Sequence, residues 1–437
     1  MPAPKPAALS VLTSPYPGPV TSGRPARLLT PALTSGDDAV YALIPALRAA
    51  LNGSGPALRL RGKNDRTPGP DAAEPDRSDL DEPVELGPED DDPADPTAVA
   101  VTTSGSSGDP KTVLLSAGAL LASAGATHDR LGGGGHWLLA LPAQHVAGLQ
   151  VLVRSLIAGT RPTVLDGSAG FTPEGFVAAV SAMPTGRVGA HRYTALVPTQ
   201  LTRLLNAPDA AGERALAALR GFDAVLVGGA ATGPALRQQA VDAGVRLVTT
   251  YGMSETCGGC VYDEVPLDGV QVRLDDGRVS LGGPMLARGY LGDPASPAFV
   301  TDADGRWFRT DDAGTWDGDR LHVLGRLDSM IITGGVKVAP GPVEAALLGL
   351  PGVAEAVVVG LPDPEWGQRV AAALVLRPGA VAPTLAQARA RVAAEISGPA
   401  APRQLTLLDA LPLRGPGKPD RTAITTALAE LPPREGI

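Results

Sequence analysis

A chain of 437 residues, 44% of them hydrophobic, is long enough for two or three domains and a large core; aromatics make up only 3%, so Ala, Val and Leu must build that core. The formal net charge of −9 sets polyanion binding, and with it nucleic acid, aside, while leaving room for a local cationic pocket. No run of about 18 apolar residues occurs and the amino terminus MPAPKPAALSV has no basic-then-apolar pattern, so neither a membrane span nor a signal peptide is expected, and a reduced cytoplasmic setting is.

In chain order, Ala39, Leu43, Leu47 and Leu51 recur at helical spacing, and a short strand follows at Ala57–Leu60. From about Gly62 to Pro96 the chain is Pro, Asp, Glu and Gly, including DRSDLDEP and PEDDDPADP. Such a segment buries too little apolar area to offset its ordering entropy, so residues 62–96 are expected to form a mobile acidic loop, with a partner-binding segment as the functional alternative. The apolar run Ala98–Val101 then leads into TTSGSSGDPKT at 102–112. A strand, a flexible Gly- and hydroxyl-rich loop and a Lys make a way to hold phosphates. Glycine lets backbone N–H groups approach the oxygens, while hydroxyls and a cation supply the remaining donors. The Walker spacing is missing, because Gly105 and Gly108 stand too close together and Lys111 follows a Pro. Taken alone, the segment also fits a Ser/Gly-rich surface linker.

Between 98 and 326, short apolar runs (137–142, 161–166, 193–198, 223–229 and 246–252) alternate with stretches of helical spacing such as Pro198–Leu205 and Gly233–Ala243. This pattern predicts an α/β fold with layered, largely parallel sheets, whose ligands sit at the carboxyl ends of strands. The Gly-rich pieces fall there, after Val101, Val227 and Thr250. Cys257 and Cys260 are spaced C-G-G-C; with no second pair, they read as two small side chains in a Gly-rich turn rather than a redox or zinc pair. Near Gly325 the character changes to strand, Gly turn, strand and helix, with further strands at 353–363 and 369–376 and a helix at Ala386–Ile396. This predicts a small α+β unit ending in a Gly/Pro loop that displays one Lys.

Five pieces stand in one order: TSGSSGDPK (103–111), YGMSET (251–256), WFRTDD (307–312), GRLDSMIITGG (325–335) and PLRGPGKPDR (412–421). Together they resemble the adenylate-forming, or AMP-binding, superfamily of acyl-CoA synthetases, peptide-synthetase adenylation domains and luciferases, over about residues 98–425. The resemblance implies an N-terminal AMP-binding domain at 1–326 and a mobile C-terminal domain at 327–437. It implies a two-step reaction: a carboxylate joins the α-phosphate of ATP with release of pyrophosphate, and the acyl group then passes to a thiol. Such chemistry needs positioning and charge neutralisation rather than a protein nucleophile.

The resemblance also implies roles. Thr103, Ser104, Gly105, Ser106, Ser107, Gly108 and Lys111 would form the loop over the β- and γ-phosphates. Gly228 and Gly229 of VGGAAT would line the acyl and adenine pocket. In YGMSET, Tyr251, beside Gly252, would stack on adenine, Ser254 would hydrogen-bond the α-phosphate, and Glu255 would hold Mg²⁺ through hard carboxylate oxygen. Asp312 would grip the ribose hydroxyls and Arg326 would reach ribose or phosphate. Asp328 matches the hinge. Gly334, Gly335 and Lys337 match the turn facing the thiol channel. Lys418 matches the lysine that meets the α-phosphate and the acyl carboxylate during adenylation. Asp311 departs from the pattern, standing where Gly is usual; its carboxylate must point to solvent or be paired.

Residues 137–154 (WLLALPAQHVAGLQVLVR), YGMSETCGGCVYD and the short chain before the phosphate loop look most like the actinobacterial branch of o-succinylbenzoate–CoA ligases of menaquinone biosynthesis. That likeness places His145 at the mouth of the acyl pocket, with Arg154 and His191 as further cations for a second carboxylate. The implied substrates and cofactors are a small carboxylic acid, ATP, Mg²⁺ and coenzyme A, and a homodimer is compatible with the chain. Two alternatives stay open: a free-standing enzyme loading an aryl acid onto a carrier protein, and a degenerate nucleotide-binding member without turnover.

Overall fold

The computed structural model describes residues 28–33, 37–61, 83–103, 110–168, 170–184, 191–414 and 418–430. The helix Asp37–Leu51 turns Val40, Leu43, Leu47 and Ala50 into the core; Leu43 and Leu47 are the predicted positions, while Ala39 and Leu51 flank the stripe half-buried. It packs on a six-stranded sheet in which Leu28–Leu33, Ala57–Arg61 and Thr97–Thr103 run parallel, and Lys111–Ser116 returns antiparallel. The next helix, Ala117–Leu131, starts where the Ser116 hydroxyl accepts from the Ala119 N–H at 3.2 Å, and stops at Gly132 with φ +90°.

The second sheet positions the site. Thr163–Val164, Gly135–Leu139, His191–Leu196, Ala224–Val227 and Leu247–Met253 run parallel, and Gly258–Tyr262 and Val265–Pro266 complete the sheet antiparallel. These strands read as unbroken apolar runs because both faces are covered. Ala224 and Leu226 enter one core with the helices Ala117–Leu131 and Val146–Ile157; Val225 and Val227 enter another with Pro173–Ala182, Pro198–Leu205 and Asp209–Arg220. The layered α/β architecture is as predicted.

Past Asp242 the alternation of strand and helix stops. Among the described residues no α-helix lies between Asp242 and Pro340; instead Gln271–Asp275, Arg278–Gly282, Phe299–Asp302, Gly305–Trp316 and Leu321–Arg326 form an antiparallel sheet. A two-residue turn at Asp276 (φ +51°) and Gly277 (φ +83°) joins the first pair, the positive-φ geometry that matches strand twist in a tight hairpin.

Residues from Ile331 onward build their own sheet from Ile331–Thr333, Val336–Val338, Val353–Asp363, Gly367–Leu376 and Gln404–Leu407. The helices Pro340–Leu348 and Leu385–Glu395 supply Val343, Leu347, Ala388 and Val392 to a core on one face; Arg421–Glu430 supplies Ile424 and Leu428 to another. Separate cores are what a small, independent α+β unit requires. Among the described residues no helix is long and apolar enough to cross a membrane.

The acidic segment differs from expectation in its second half. Residues 62–82 lie outside the described residues, but from Pro83 the chain is built into the first sheet. Val84–Glu85 pairs with Leu28–Leu33, and Leu86 is buried. The carboxylate of Asp91 accepts from the Thr97 N–H at 2.7 Å, and that of Asp95 from the Gly118 N–H at 2.8 Å. The Thr97 hydroxyl donates to the Asp90 carbonyl, and Arg288 donates to the Asp95 carbonyl. Here acids act as specific acceptors for strand and helix starts rather than as a solvated run. Replacing residues 62–82 by a short Gly/Ser linker should therefore change the unfolding free energy by less than ~1 kcal/mol, since loop closure depends weakly on length. Removing 62–96 should cost more than about 3 kcal/mol, because several buried donors lose their acceptors. Urea denaturation of the two deletions checks this, and equal stabilities would contradict it.

Candidate functional site at the carboxyl edge of the central sheet

The parallel strands all end toward one edge, and the residues just past their ends build the site. After Ala224–Val227 come Gly228 and Gly229. A Cβ on Gly228 would stand 2.2 Å from the Thr250 hydroxyl oxygen, and Gly229 holds φ +78°, so neither position accepts another residue without strain. The strand Leu247–Met253 shifts register against its antiparallel neighbour between Tyr251 and Gly252, and a Cβ on Gly252 would lie 2.1 Å from the Gly258 carbonyl oxygen. The glycine lets the two backbones close and turns the chain into the single 3₁₀ turn Ser254–Thr256.

That turn is pinned from several sides. The Thr256 hydroxyl accepts from the Met253 N–H at 3.0 Å and lies 2.8 Å from the Gly258 carbonyl. The Glu255 carbonyl accepts from the Ala287 N–H at 2.8 Å. Cys257, in the left-handed region at φ +51°, has its carbonyl held by the Ser123 hydroxyl at 3.1 Å and the Gln150 amide at 2.8 Å. Ser123 and Gln150 come from two different helices, and neither belongs to the five ordered pieces; an amide in the otherwise apolar run GLQVLV is the one sequence signal for Gln150.

Two acidic groups, Asp312 and Glu255, and their partners stand here. The Tyr251 hydroxyl donates to Asp312 at 2.7 Å. Burial raises the Asp312 carboxyl above its usual range, and the Tyr251 hydrogen bond and the Arg326 charge pull it back. Tyr251 is itself raised well above its usual value, by burial first and then by the Asp312 charge. Glu255 accepts from the Tyr290 hydroxyl at 2.9 Å, and burial raises its carboxyl, opposed by this bond and by Lys111. The Lys111 ammonium lies 4.6 Å from the Tyr290 ring centroid. Tyr290, which sequence reading missed, thus joins Lys111 of the phosphate-loop motif to Glu255 of YGMSET. Thr103 and Lys111 are paired at the stem of the loop; Ser104, Gly105, Ser106, Ser107 and Gly108 lie outside the described residues.

Asp311 is both exposed and paired. Arg278 reaches its carboxylate at 3.1 Å and the Thr310 carbonyl at 2.6 Å, while Arg326 stands 3.3 Å from Asp311 and 3.1 Å from Asp328. Asp311 is not among the residues with positive φ, so the backbone does not need the usual glycine. Asp328 lies in the 3₁₀ turn Leu327–Ser329 that leads into the second unit. Ser254 is buried within the turn.

Other predicted residues lie elsewhere. His145 is the exposed residue just before the helix Val146–Ile157, at the carboxyl edge. Arg154 sits at the far end of that helix, which runs back to the amino edge. It is buried, 3.2 Å from the Tyr262 hydroxyl and 5.1 Å over the Trp137 ring. His191 begins its strand, also at the amino edge, and stands 3.9 Å from Asp223. Neither faces the site. Gly334 (φ +56°) and Gly335 (φ +79°) make the two-residue turn between Ile331–Thr333 and Val336–Val338; Gly334 is packed under Trp366, and Lys337 is exposed. Lys418 begins a two-residue strand paired with Leu413–Arg414, and its side chain lies outside the described part. Cys257 and Cys260 are buried in different cores, and burial raises both thiols, Cys260 to about 12.

Residues 35–293 match the AMP-binding enzyme family and residues 342–418 its C-terminal domain. A Mycobacterium tuberculosis protein named "Probable 2-succinylbenzoate–CoA ligase" is 46% identical over 391 residues, covering 89% of this chain and 95% of its own. The amide bond synthetase of Marinactinospora thermotolerans shares the fold with TM-score 0.69 at 25% identity, over 93% of this chain and 90% of its own. The o-succinylbenzoate CoA synthetase of Bacillus subtilis, solved with its acyl-adenylate, shares it with TM-score 0.66 at 22% identity, over 93% and 89%. With both domain matches in the predicted order around this edge, the chain belongs to the AMP-binding enzyme family of acid–CoA ligases.

Proposed function

We propose that the chain joins o-succinylbenzoate to coenzyme A through an acyl-adenylate. The observation that carries this reading is the 46% identity over nearly the whole chain to a relative named for that reaction. In the first step an oxygen of the acid's carboxylate attacks the α-phosphorus of ATP, and pyrophosphate leaves with the electron pair of the broken P–O bond. In the second, the coenzyme A thiol attacks the acyl carbon, losing its proton, and AMP leaves.

The geometry supports a division of labour. Asp312, half-buried but kept ready to accept hydrogen bonds by Tyr251 and Arg326, suits the ribose hydroxyls. The Tyr251 ring at the strand end suits adenine. Ser254, buried in the pinned turn, suits the α-phosphate. Among the described residues no group of three or more His, Cys, Asp or Glu side chains could hold a metal by itself. Mg²⁺ commonly uses one or two carboxylates and completes its shell with substrate phosphates, and the half-buried Glu255 fits that mode. When bound, the ion would neutralise phosphate charge. Asp328, between the two units, suits a hinge; Gly334, Gly335 and Lys337 are assigned to the thiol side, His145 and Gly228 to the acyl side, and Gly229 to the nucleotide.

Lys418→Ala should slow adenylation at least about 10²-fold, because it removes a charge that acts in that transition state. Thioester formation from supplied acyl-adenylate should fall far less. Separate assays of the two half-reactions check this, and equal losses in both would overturn the role. For the acid, kcat/KM should favour o-succinylbenzoate over 3-benzoylpropionate, which lacks only the ring carboxylate, by about 10²-fold or more, since a site that pairs a carboxylate leaves its donors unmatched with the analogue. Comparable values for both acids and for benzoate would leave a generic aryl-acid ligase.

A further inference from the structure

Arg306 lies on the strand Gly305–Trp316, one residue ahead of the WFRTDD piece, and belongs to none of the five. It is half-buried, and no carboxylate among the described residues lies within ion-pair distance of it. Burial, and then the nearby charge of Arg288, work against its protonated form. Backbone holds it instead. Its guanidinium donates to the Ala287 carbonyl at 2.8 Å and to the next carbonyl along, that of Arg288. Two consecutive carbonyls suit the fixed fork of a guanidinium, which a lysine ammonium lacks. The same group stands 4.7 Å from the Phe299 ring centroid, and Phe299 meets the Tyr290 ring edge-on with centroids 5.6 Å apart.

The segment gripped in this way leads to Glu255 from both ends. Ala287 gives its N–H to the Glu255 carbonyl at 2.8 Å, and Tyr290 gives its hydroxyl to the Glu255 carboxylate at 2.9 Å. The two carbonyls that Arg306 holds lie between those bonds. Arg288 itself is turned elsewhere, toward the Thr97 hydroxyl and the Asp95 carbonyl. The cation that opposes the rise of the Glu255 carboxyl is Lys111, so Arg306 bears on Glu255 through placement rather than through charge. We propose that Arg306 is a positioning residue of the ligase: by fixing Ala287 and Arg288 it sets the backbone of Glu255 and, through Tyr290, its carboxylate. This rests on the reading of Glu255 as the acid that faces Mg²⁺. Without the fork, a nucleotide carrying the metal must order the segment as it binds, whereas AMP without metal makes no such demand.

The test is calorimetric titration of the full chain with ATP at a fixed, saturating Mg²⁺ concentration, and separately with AMP without metal. The chains compared are the native sequence, Arg306→Lys, Arg306→Met, Glu255→Gln and the double variant Arg306→Met/Glu255→Gln. Outer partners of a metal-facing carboxylate typically matter about 10- to 100-fold, so Arg306→Met should weaken ATP about tenfold or more and leave AMP within about twofold. Arg306→Lys, which keeps charge and stem but not the fork, should lose at least about threefold, and it carries the test if the methionine variant does not fold. Because both residues act through one carboxylate, Arg306→Met should add less than about twofold to the loss already caused by Glu255→Gln. ATP affinity within twofold of native in the Arg306 variants, an equal loss of AMP, or a full further loss on top of Glu255→Gln would each overturn the positioning role. Glu255→Gln without effect on ATP would remove the metal-facing reading of Glu255 and the role of Arg306 with it; an effective Glu255→Gln beside silent Arg306 variants removes the role alone.

Discussion

The site depends on one backbone constraint, the left-handed conformation of Cys257 immediately after Ser254–Thr256. A side chain other than glycine at φ +51° costs about 1 kcal/mol. The surroundings over-determine it: two helices deliver hydrogen bonds to its carbonyl, its thiol fills the core, and its own N–H closes on the Ser254 carbonyl at 3.0 Å. Because Gly252 removes the steric block ahead of the turn and Cys257 reverses the chain after it, Glu255 has little freedom left. Ala287 fixes its backbone and Tyr290 fixes its carboxylate. The central sheet supplies direction, the helices supply the clamp, and the carboxylate inherits its position from both.

Electrostatics at the adjoining edge depend on how charge is shared rather than on any single pair. Asp311, Asp312 and Asp328 would repel one another if left alone, and Arg278 and Arg326 are interleaved with them. Each exposed contact is worth little by itself. The least exposed member, Asp312, gains most, because in the drier environment the tyrosine hydroxyl and the nearby guanidinium count for more than they would in water. The unusual aspartate at 311 is thus absorbed by Arg278, a residue 33 positions earlier on the neighbouring strand.

Local patterns carried far where chemistry and geometry share a short window. Apolar runs such as Ala224–Val227 had to be two-sided strands, and the glycines after them had to be turns at the ligand edge, so Gly228, Tyr251 and Glu255 were legible from sequence. Non-local contacts escaped. Composition cannot tell a solvated acid from one that caps a strand or helix, so Asp91 and Asp95 were read as part of a loose run. Nearness in sequence suggested Arg154, but a helix that follows a parallel strand runs backward, and by Arg154 the chain has left His145 behind and reached the opposite edge. Tyr290, Gln150, Ser123 and Arg278 each meet the site across a long stretch of chain, and no short pattern announces them.

The two thiols have a practical meaning for anyone who wants to watch the molecule work. Both are sealed in the interior, in separate cores, with burial holding them in the unreactive protonated form. Toward maleimide dyes and spin labels the native chain therefore behaves as though it carried no cysteine at all. New cysteines can be placed on exposed faces of the two units without first stripping out Cys257, whose replacement would disturb the turn that carries Glu255. Whether the distance between the units changes during turnover can then be read on an otherwise unaltered chain.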